Sequence, residues 1–270
     1  MPRSKKTGLV PKAEPMEQET PDAERFSGIV SDALIRETGA NGIGTLSEKT
    51  LHAVLKDYFA PEREMQEIKL KGYVADIFTG EEIIEIQTRD FNKLRGKLQA
   101  FLPEYPVTVV YPIPYEKRLL WLDPETGECS KERLSPAKGK PQLVFKELYR
   151  IRPFLNHPNF RLLICMLNLR EYRLLDGWGN GGKRGSSRFD RVPESIQALY
   201  RVSSVKDYSR FVPEELEEPF TSKDYGKACR ITQARATQAL LILTELGIVE
   251  RIGKQGNSYL YKRGEVHAKH

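Results

Sequence analysis

The chain has 270 residues, of which 30% are charged and 39% hydrophobic, and a formal net charge of +6. This length allows one large or two modest domains, and the composition is that of a soluble globular protein rather than of a membrane protein or a disulfide framework. No hydrophobic run reaches the roughly 18 apolar residues of a membrane span, so we expect a cytoplasmic protein with no membrane partner.

The first segment, residues 1–44, mixes charged and polar residues with proline and glycine and has no sustained periodicity. It is predicted to be a largely disordered leader with one short helix near residues 29–35. A clear helix follows, because Ser47 can cap a segment in which Leu51 and Tyr58 belong to one apolar face.

Three strand-like runs come next, MQEIKLK, YVADIF and EIIEIQT, and the TGE between the last two indicates a hairpin. The segment RDFNKLRGKLQAFLPEY is predicted to be a helix and VTVVYPI a buried strand. Further strands are predicted at KRLLWLD and FRLLICMLNLREYRLLD, with a helix over 142–155 between them. This order favours a right-handed crossover and an α/β sheet with helices packed on it.

The predicted hairpin carries acids within apolar runs. Side chains alternate between the two faces of a strand, so Glu85 and Gln87 project to the same side about 6.6 Å apart. If Thr79 and Gly80 form the turn, Asp76 lies beside Glu85 on the neighbouring strand. Adjacent carboxylates repel one another unless a cation lies between them, and Mg²⁺ prefers such oxygen ligands. The pair therefore predicts a metal site; the alternative is that both acids face water at a sheet edge.

The motif and the order of elements together resemble the PD-(D/E)XK superfamily of restriction-endonuclease-like nucleases, over about residues 46–113. The resemblance implies a mixed sheet flanked by helices, with Asp76 and Glu85 as ligands of Mg²⁺ or Mn²⁺. It places Gln87 where lysine is usual, and glutamine can orient a water molecule but carries no charge.

The resemblance also implies a catalytic glutamate on the helix before the strands. Glu48 is the candidate, on one helical stripe with His52 and Lys56. The charge that Gln87 lacks could come from a second metal ion or from nearby basic side chains. These basic residues are Arg89, Lys93, Arg95 and Lys97.

Positive charge is concentrated in the carboxyl-terminal half, which indicates a polyanionic partner. Residues 144–191 contain ten Lys or Arg against four acids, and residues 220–263 eight against three. Residues 176–218 are predicted to be a basic, glycine-rich connector with short helices, in which Lys183, Arg184 and Arg188 bind DNA phosphates. The alternative is a flexible, solvated connector.

Residues 219–264 resemble a winged helix-turn-helix. Thr221 or Ser222 can cap a short helix, Thr232 can cap a second one, and Gly247 ends the second before a predicted hairpin. The resemblance implies that the second helix enters the major groove and that the hairpin contacts the backbone. The predicted DNA-binding residues are Gln233, Arg235, Thr237, Gln238, Arg251 and Lys254. A protein-interaction or dimerisation module is the alternative.

Together these features predict an α/β protein with a nuclease domain over 45–175, the connector over 176–218, the winged helix over 219–264 and a tail over 265–270. The predicted function is metal-dependent cleavage of duplex DNA, and a homodimer is compatible with it. The alternative is a catalytically inactive DNA-binding or regulatory protein on the nuclease fold. RNA remains open as the substrate.

Overall fold

A computed structural model describes residues 18–41, 50–178 and 184–265. The α-helices of these residues are α1 (Ala23–Asn41), α2 (Thr50–Phe59), α3 (Arg95–Phe101), α4 (Phe145–Leu148), α5 (Ser222–Ala228) and α6 (Gln233–Glu245). The strands are β1 (Gln18–Glu19), β2 (Gln66–Leu70), β3 (Tyr73–Phe78), β4 (Ile83–Ile86), β5 (Val107–Leu122), β6 (Arg133–Leu134), β7 (Phe160–Trp178), β8 (Arg184–Val202), β9 (Val249–Gln255) and β10 (Ser258–Arg263). Short 3-10 helices lie at Arg63–Met65, Phe91–Leu94, Pro141–Val144, Tyr149–Phe154 and Val205–Phe211.

One large mixed sheet organises the fold, in the strand order β1-β8-β7-β5-β4-β3-β2 with β6 paired on β5. Strands β2, β3 and β4 form an antiparallel meander, and β5 runs parallel to both β4 and β7. The α3 segment joins β4 to β5, as parallel neighbours require a crossover connection. The predicted order of helix, three strands, helix and strand is confirmed, and so is the mixed α/β sheet flanked by helices.

Helices cover both faces of the sheet, and the buried residues form two clusters, one on each face. On one face, α1 and α2 bury apolar side chains such as Leu55 against Leu163 of β7. On the other face, α3, α4 and α6 pack against the sheet, and Leu162 of β7 belongs to that second cluster. Alternating residues of β7 are thus buried on both faces, which explains its nearly continuous apolar sequence.

The leader was predicted to be disordered apart from a short helix near residues 29–35; that helix is present but longer, since α1 spans Ala23–Asn41, so disorder is wrong for 23–28 and 36–41. Phe26 is 1% exposed and packs edge to face on Tyr58 of α2, with ring centroids 5.4 Å apart. Strand β1 adds the segment to the sheet by pairing with β8. These contacts bury apolar surface that the local composition does not reveal. Residues 1–17 and 42–44 of the predicted leader lie outside the described residues.

The predicted connector is also wrong for residues 184–202, which form strand β8 instead. This strand pairs with β7 along its length, from Leu162↔Val202 to Trp178↔Arg184. The sheet therefore continues past the predicted domain boundary at 175, because pairing with β7 overrides the weak local strand preference of a segment rich in serine and charged residues. Within 203–218, one short helical segment is present, the 3-10 helix Val205–Phe211.

Strands β5, β7 and β8 continue beyond the helix-covered part of the sheet. The predicted strands VTVVYPI and KRLLWLD are one strand, β5, whose pairing with β7 shifts between Pro114 and Lys117. Past this irregularity the three strands form an extension, here called the arm, which comprises residues 117–122, 169–178 and 184–193. Within the described ranges, no helix is long and apolar enough to cross a membrane.

The carboxyl-terminal segment has the predicted order of two helices and a hairpin. The hydroxyl of Thr221 accepts a hydrogen bond from Asp224 N and caps α5, and that of Thr232 accepts from Arg235 N and caps α6. Gly247 follows α6 with a φ of +72°, the left-handed conformation that glycine adopts without a Cβ clash. Strands β9 and β10 then form the hairpin.

The carboxyl-terminal segment shares its core with the large sheet. Leu240 and Leu243 of α6 belong to the same buried cluster as Phe145 and Leu148 of α4. Residues 219–264 are thus packed on the sheet domain through a continuous apolar core.

Candidate active site

The site begins where strands β3 and β4 stop pairing regularly. Their last pair toward the site is Ile77↔Ile84, and the side chain of Asp76 replaces the next ladder contact. Its Oδ2 accepts a 2.8 Å hydrogen bond from the backbone N–H of Ile86. Glu85 is 1% exposed, and its Oε1 lies 3.4 Å from the backbone nitrogen of Asp76. The two acids therefore lie side by side, the relation that the hairpin register predicts.

Helix α2 contacts the acid pair through His52, whose Nε2 lies 3.2 Å from Asp76 Oδ2. Burial would raise the pKa of Asp76, but the hydrogen bond and charge of His52, together with the Ile86 N–H, lower it. One turn further along α2, Lys56 Nζ lies 2.5 Å from Glu67 Oε1. Asp76 is thus held as an ionised carboxylate between α2 and β4.

Helix α3 supplies a cation to the other acid. Lys97 Nζ lies 2.7 Å from Glu85 Oε2, and the Lys97 side chain is 22% exposed. Burial and the neighbouring charge of Asp76 raise the pKa of Glu85 to about 7, against the lowering effect of Lys97. Arg95 turns elsewhere and donates to the carbonyl of Arg150. Of the basic residues considered for this role, Lys97 is therefore the one whose ion pair with the acids is present.

Gln87 is engaged with the backbone that leads into α3. Its Nε2 donates to the carbonyl oxygens of Arg89 and Asp90, the latter at 3.2 Å. Asp90 has a φ of +51°, so these bonds stabilise a left-handed turn. The structure thus gives Gln87 a turn-holding contact and does not bring its amide to the acid pair.

The donor set fits a divalent cation. Asp76 and Glu85 supply two neighbouring hard oxygen ligands, and Mg²⁺ is usually held by one or two carboxylates with waters completing its shell. Burial and the nearby negative charge of Asp76 raise the pKa of Glu85, and a bound cation would favour its ionised form. Among the residues that the structure describes, no group of three or more His, Cys, Asp or Glu is placed to hold a metal ion. Glu48 lies outside those residues.

Helix α6 packs on the face of the sheet that bears Glu85. Glu85 pairs with Val109 in parallel register, so their side chains share a face. Val109 is buried in the cluster that also contains Leu98 of α3 and Leu240 of α6. Burial and the charge of Glu147 raise the pKa of Tyr111, two residues beyond Val109, to about 12, against the lowering charges of Arg191 and Arg235.

The predicted DNA-binding residues of the carboxyl-terminal segment are all on its surface. On α6, the side chains of Gln233, Arg235, Thr237 and Gln238 are exposed. On strand β9, Arg251 and Lys254 are exposed and contact the Tyr259 ring, at 4.3 and 4.9 Å from its centroid. These cation–aromatic contacts hold both basic groups on one side of the hairpin.

The predicted basic residues of the connector lie on or beside β8. Arg188 lies on this strand, with its Nε 3.6 Å from Glu171 of β7. Arg184 begins the strand, but its side chain is not among those described, and Lys183 lies outside the described residues. Glu67 and Glu171 were not among the residues predicted from the sequence. Glu171 and Arg173 lie two apart in a predicted strand, and this spacing indicates an ion pair on one face.

The site thus belongs to an α/β protein whose mixed sheet carries a buried acid pair with a lysine from a neighbouring helix. Residues 49–203, more than half of the chain, match the family described as Domain of unknown function (DUF8091), and the chain belongs to this family. An uncharacterized protein of Treponema pallidum (strain Nichols) is 28% identical over 222 residues, covering 82% of this chain and 87% of that protein. No solved structure matches the chain significantly.

Proposed function

We propose that the protein is a metal-dependent nuclease that hydrolyses phosphodiester bonds in duplex DNA. The observation that carries the proposal is the buried carboxylate of Glu85, which lies beside Asp76 and 2.7 Å from Lys97 Nζ. Strongly perturbed, closely spaced acids with a lysine are costly to bury and are concentrated at functional sites. Two carboxylates and a cation are also the groups that metal-assisted phosphate chemistry needs.

The topology supports a restriction-endonuclease-like core. An antiparallel meander of β2, β3 and β4 is followed by α3 and by β5, which runs parallel to β4. This is the order of elements in the PD-(D/E)XK superfamily that the sequence resembles, and on that proposal the two acids would occupy its metal-ligand positions. The fold alone does not imply activity, so the proposal depends on the acid pair and its lysine.

Each residue of the site has a distinct proposed role. Asp76 and Glu85 would hold Mg²⁺ or Mn²⁺, and a bound ion would polarise the phosphate and lower the pKa of a bound water. His52 keeps Asp76 ionised and fixes its orientation through their 3.2 Å contact. Lys97 favours the ionised form of Glu85 and places a positive charge beside the position of the phosphate.

The carboxyl-terminal segment is proposed to bind the substrate as a winged helix. The exposed face of α6 starts at Gln233, and α6 packs on the same side of the sheet as α3, the helix that carries Lys97. A duplex whose major groove receives α6 would therefore pass close to the site. The hairpin of β9 and β10 would add backbone contacts through Arg251 and Lys254.

The proposal is tested by incubating supercoiled plasmid with the full chain in the presence of Mg²⁺ or Mn²⁺. Asp76→Ala and Glu85→Ala should reduce cleavage at least about 100-fold, because each removes a metal ligand. Glu81→Ala is the matched control, since Glu81 is an exposed acid in the turn between the same two strands.

Cleavage that survives both site substitutions would contradict the assignment. DNA binding without cleavage by any variant would favour the catalytically inactive alternative. Parallel assays on single-stranded DNA and on RNA identify the preferred substrate.

A further inference from the structure

A second charged cluster lies in the arm, around the buried acid Glu171 of β7. Its carboxylate lies 3.1 Å from Lys117 Nζ of β5, 2.8 Å from Arg173 Nε of β7 and 3.6 Å from Arg188 Nε of β8. Each of three neighbouring strands thus contributes a cation that contacts the Glu171 carboxylate. The register of the arm builds this cluster, because the shift between Pro114 and Lys117 sets which face of the sheet Lys117 occupies.

The cluster carries more positive than negative charge. Burial would raise the pKa of Glu171, but the hydrogen bond from Arg173 and the charges of Lys117 and Arg188 lower it. Glu171 is therefore a carboxylate, and Lys117 and Arg173 set two positive charges against its single negative charge. The cations remain accessible, with side chains 26%, 33% and 34% exposed for Lys117, Arg173 and Arg188.

The opposite face of the arm is balanced in charge. Arg170 Nε lies 3.2 Å from Glu132 Oε2 and 3.0 Å from Glu194 Oε1, and Arg118 contacts the same two acids. Arg170 and Glu171 are sequence neighbours in one strand, so they face opposite sides. The surplus of positive charge is thus confined to the face that bears Glu171.

Helix α2, which contacts the acid pair through His52, packs on the face of the sheet that bears Glu171. Leu169, two residues before Glu171, is buried in the cluster that includes α2. The hydroxyl of Thr50, at the start of α2, donates to Asp190 Oδ2 at 2.5 Å, and Asp190 lies in the arm. His52, two residues further along α2, contacts Asp76. Helix α2 therefore contacts both the acid pair and the arm that carries the cluster.

We propose that Lys117, Arg173 and Arg188 form a second phosphate-contact site, which binds a backbone phosphate of the same nucleic acid whose cleavage the acid pair catalyses. Arginine and lysine together suit a phosphate, since the guanidinium offers paired donors and the ammonium a point charge. The buried Glu171 orders the three side chains before the ligand arrives. The choice of nucleic acid as partner rests on the proposed function.

The test measures binding of a labelled DNA duplex to the full chain in EDTA, where a metal-dependent site does not cut. Arg173→Gln and Lys117→Gln should each weaken binding about 5- to 10-fold near 0.1 M salt and lower the slope of log affinity against log salt by about 0.9. Arg170→Gln is the matched control, because it removes one charge from the balanced face of the same strand. Arg173→Lys should restore most of the affinity.

Circular dichroism melts check that each variant is folded. Equal losses in Arg173→Gln and Arg170→Gln, or an unchanged salt slope in folded Arg173→Gln and Lys117→Gln, would overturn the proposal. So would inorganic phosphate that binds the cluster while the same variants keep wild-type DNA affinity.

The two proposals fail separately. Cluster-dependent binding without cleavage contradicts the nuclease alone and supports the phosphate-contact site. Cleavage together with unaltered binding by the cluster variants contradicts the phosphate-contact site alone.

Discussion

The ammonium group of Lys97 on helix α3 lies 2.7 Å from the buried carboxylate of Glu85 on strand β4. This contact crosses from the helix to the sheet and supplies the positive charge that position 87 lacks, since Gln87 is neutral and bonds the carbonyls of Arg89 and Asp90. In the proposed nuclease, Gln87 therefore has the structural role and Lys97 the electrostatic role, which a single lysine in the strand would combine.

Lys97→Met should therefore abolish most of the proposed cleavage. Removing the ammonium leaves Glu85 with its burial and the repulsion of Asp76, which further raises its pKa and weakens metal binding. We expect a loss of about 100-fold or more in the cleavage rate, measured on plasmid at saturating Mg²⁺. Lys93→Met is the control on the same segment. An equal effect of both substitutions would argue against a specific role for Lys97.

Gln87→Ala should affect stability more than cleavage. The substitution removes hydrogen bonds to the turn at Arg89 and Asp90, which costs about 0.5–1.5 kcal/mol of unfolding free energy. We expect cleavage to stay within about tenfold of the wild type, because the amide is not directed at the acid pair. Urea denaturation and cleavage rates measure the two effects. If folded Gln87→Ala lost as much cleavage as Glu85→Ala, Gln87 would take part in the reaction.

The sequence predicted the elements whose patterns are local. The hairpin register was sufficient to bring Asp76 beside Glu85, and the hydroxyls of Thr221 and Thr232 cap the helices that they were predicted to cap. Alternation within a strand and capping at a helix end depend on neighbouring residues, so a single sequence contains the needed information.

Features that depend on distant contacts were not predictable. Helix α1 is stabilised through Phe26, whose partner Tyr58 is 32 positions away, and strand β8 depends on its long pairing with β7. To predict that Lys97 rather than Arg95 pairs with Glu85, one must know how α3 packs on the sheet. To predict that Lys117, Arg173 and Arg188 all contact Glu171, one must likewise know the register of three strands.

The raised pKa of Glu85 predicts a stability that depends on pH. This pKa is about 7 in the folded protein against an ordinary value of 4.5. Between these values the folded state holds a proton that the unfolded state has released, so the unfolding free energy should fall as pH rises from about 4.5 to 7. The lowered pKa of Asp76 acts in the opposite sense but at more acidic pH, below this window.

Thermal melts of the metal-free protein between about pH 5 and 8 measure this effect, and Glu85→Gln should flatten the profile because its amide does not titrate. Glu171→Gln is the control, since the pKa of Glu171 is lowered and its titration falls outside the window. Mg²⁺ should restore stability chiefly at the upper end of this pH range, where the Glu85 carboxylate is ionised. Identical profiles for Glu85→Gln and the wild type would contradict the assignment.

The exposed start of α6 predicts the residues that determine DNA affinity. Arg235→Ala and Gln238→Ala should each weaken binding to a preferred duplex by about 1–3 kcal/mol and reduce discrimination between sequences, if α6 lies in the major groove. Electrophoretic mobility shifts on selected and scrambled duplexes provide the measurement. Glu245→Ala, at the other end of the same helix, is the control. Unchanged affinity in the first two variants would favour the protein-interaction alternative.

The shared core of α6 and α4 predicts that the whole described chain unfolds as one unit. Leu240 is fully buried in the cluster that also contains Phe145, so Leu240→Ala should cost about 2–5 kcal/mol. The two tryptophans, Trp121 of β5 and Trp178 of β7, both lie in strands of the arm, so tryptophan fluorescence reports on the sheet. In a cooperative protein, the tryptophan and far-ultraviolet dichroism transitions coincide in urea, and Leu240→Ala shifts both to lower urea.

Thr237→Ala, at an exposed position of the same helix, should leave both transitions within about 0.5 kcal/mol of the wild type. A tryptophan transition that stays in place while the dichroism transition moves would mean that the carboxyl-terminal segment unfolds alone. The distinction matters for the proposed function, because a segment that shares the sheet's core holds a bound duplex at a fixed position relative to Asp76 and Glu85. A segment that unfolds alone would leave that position variable.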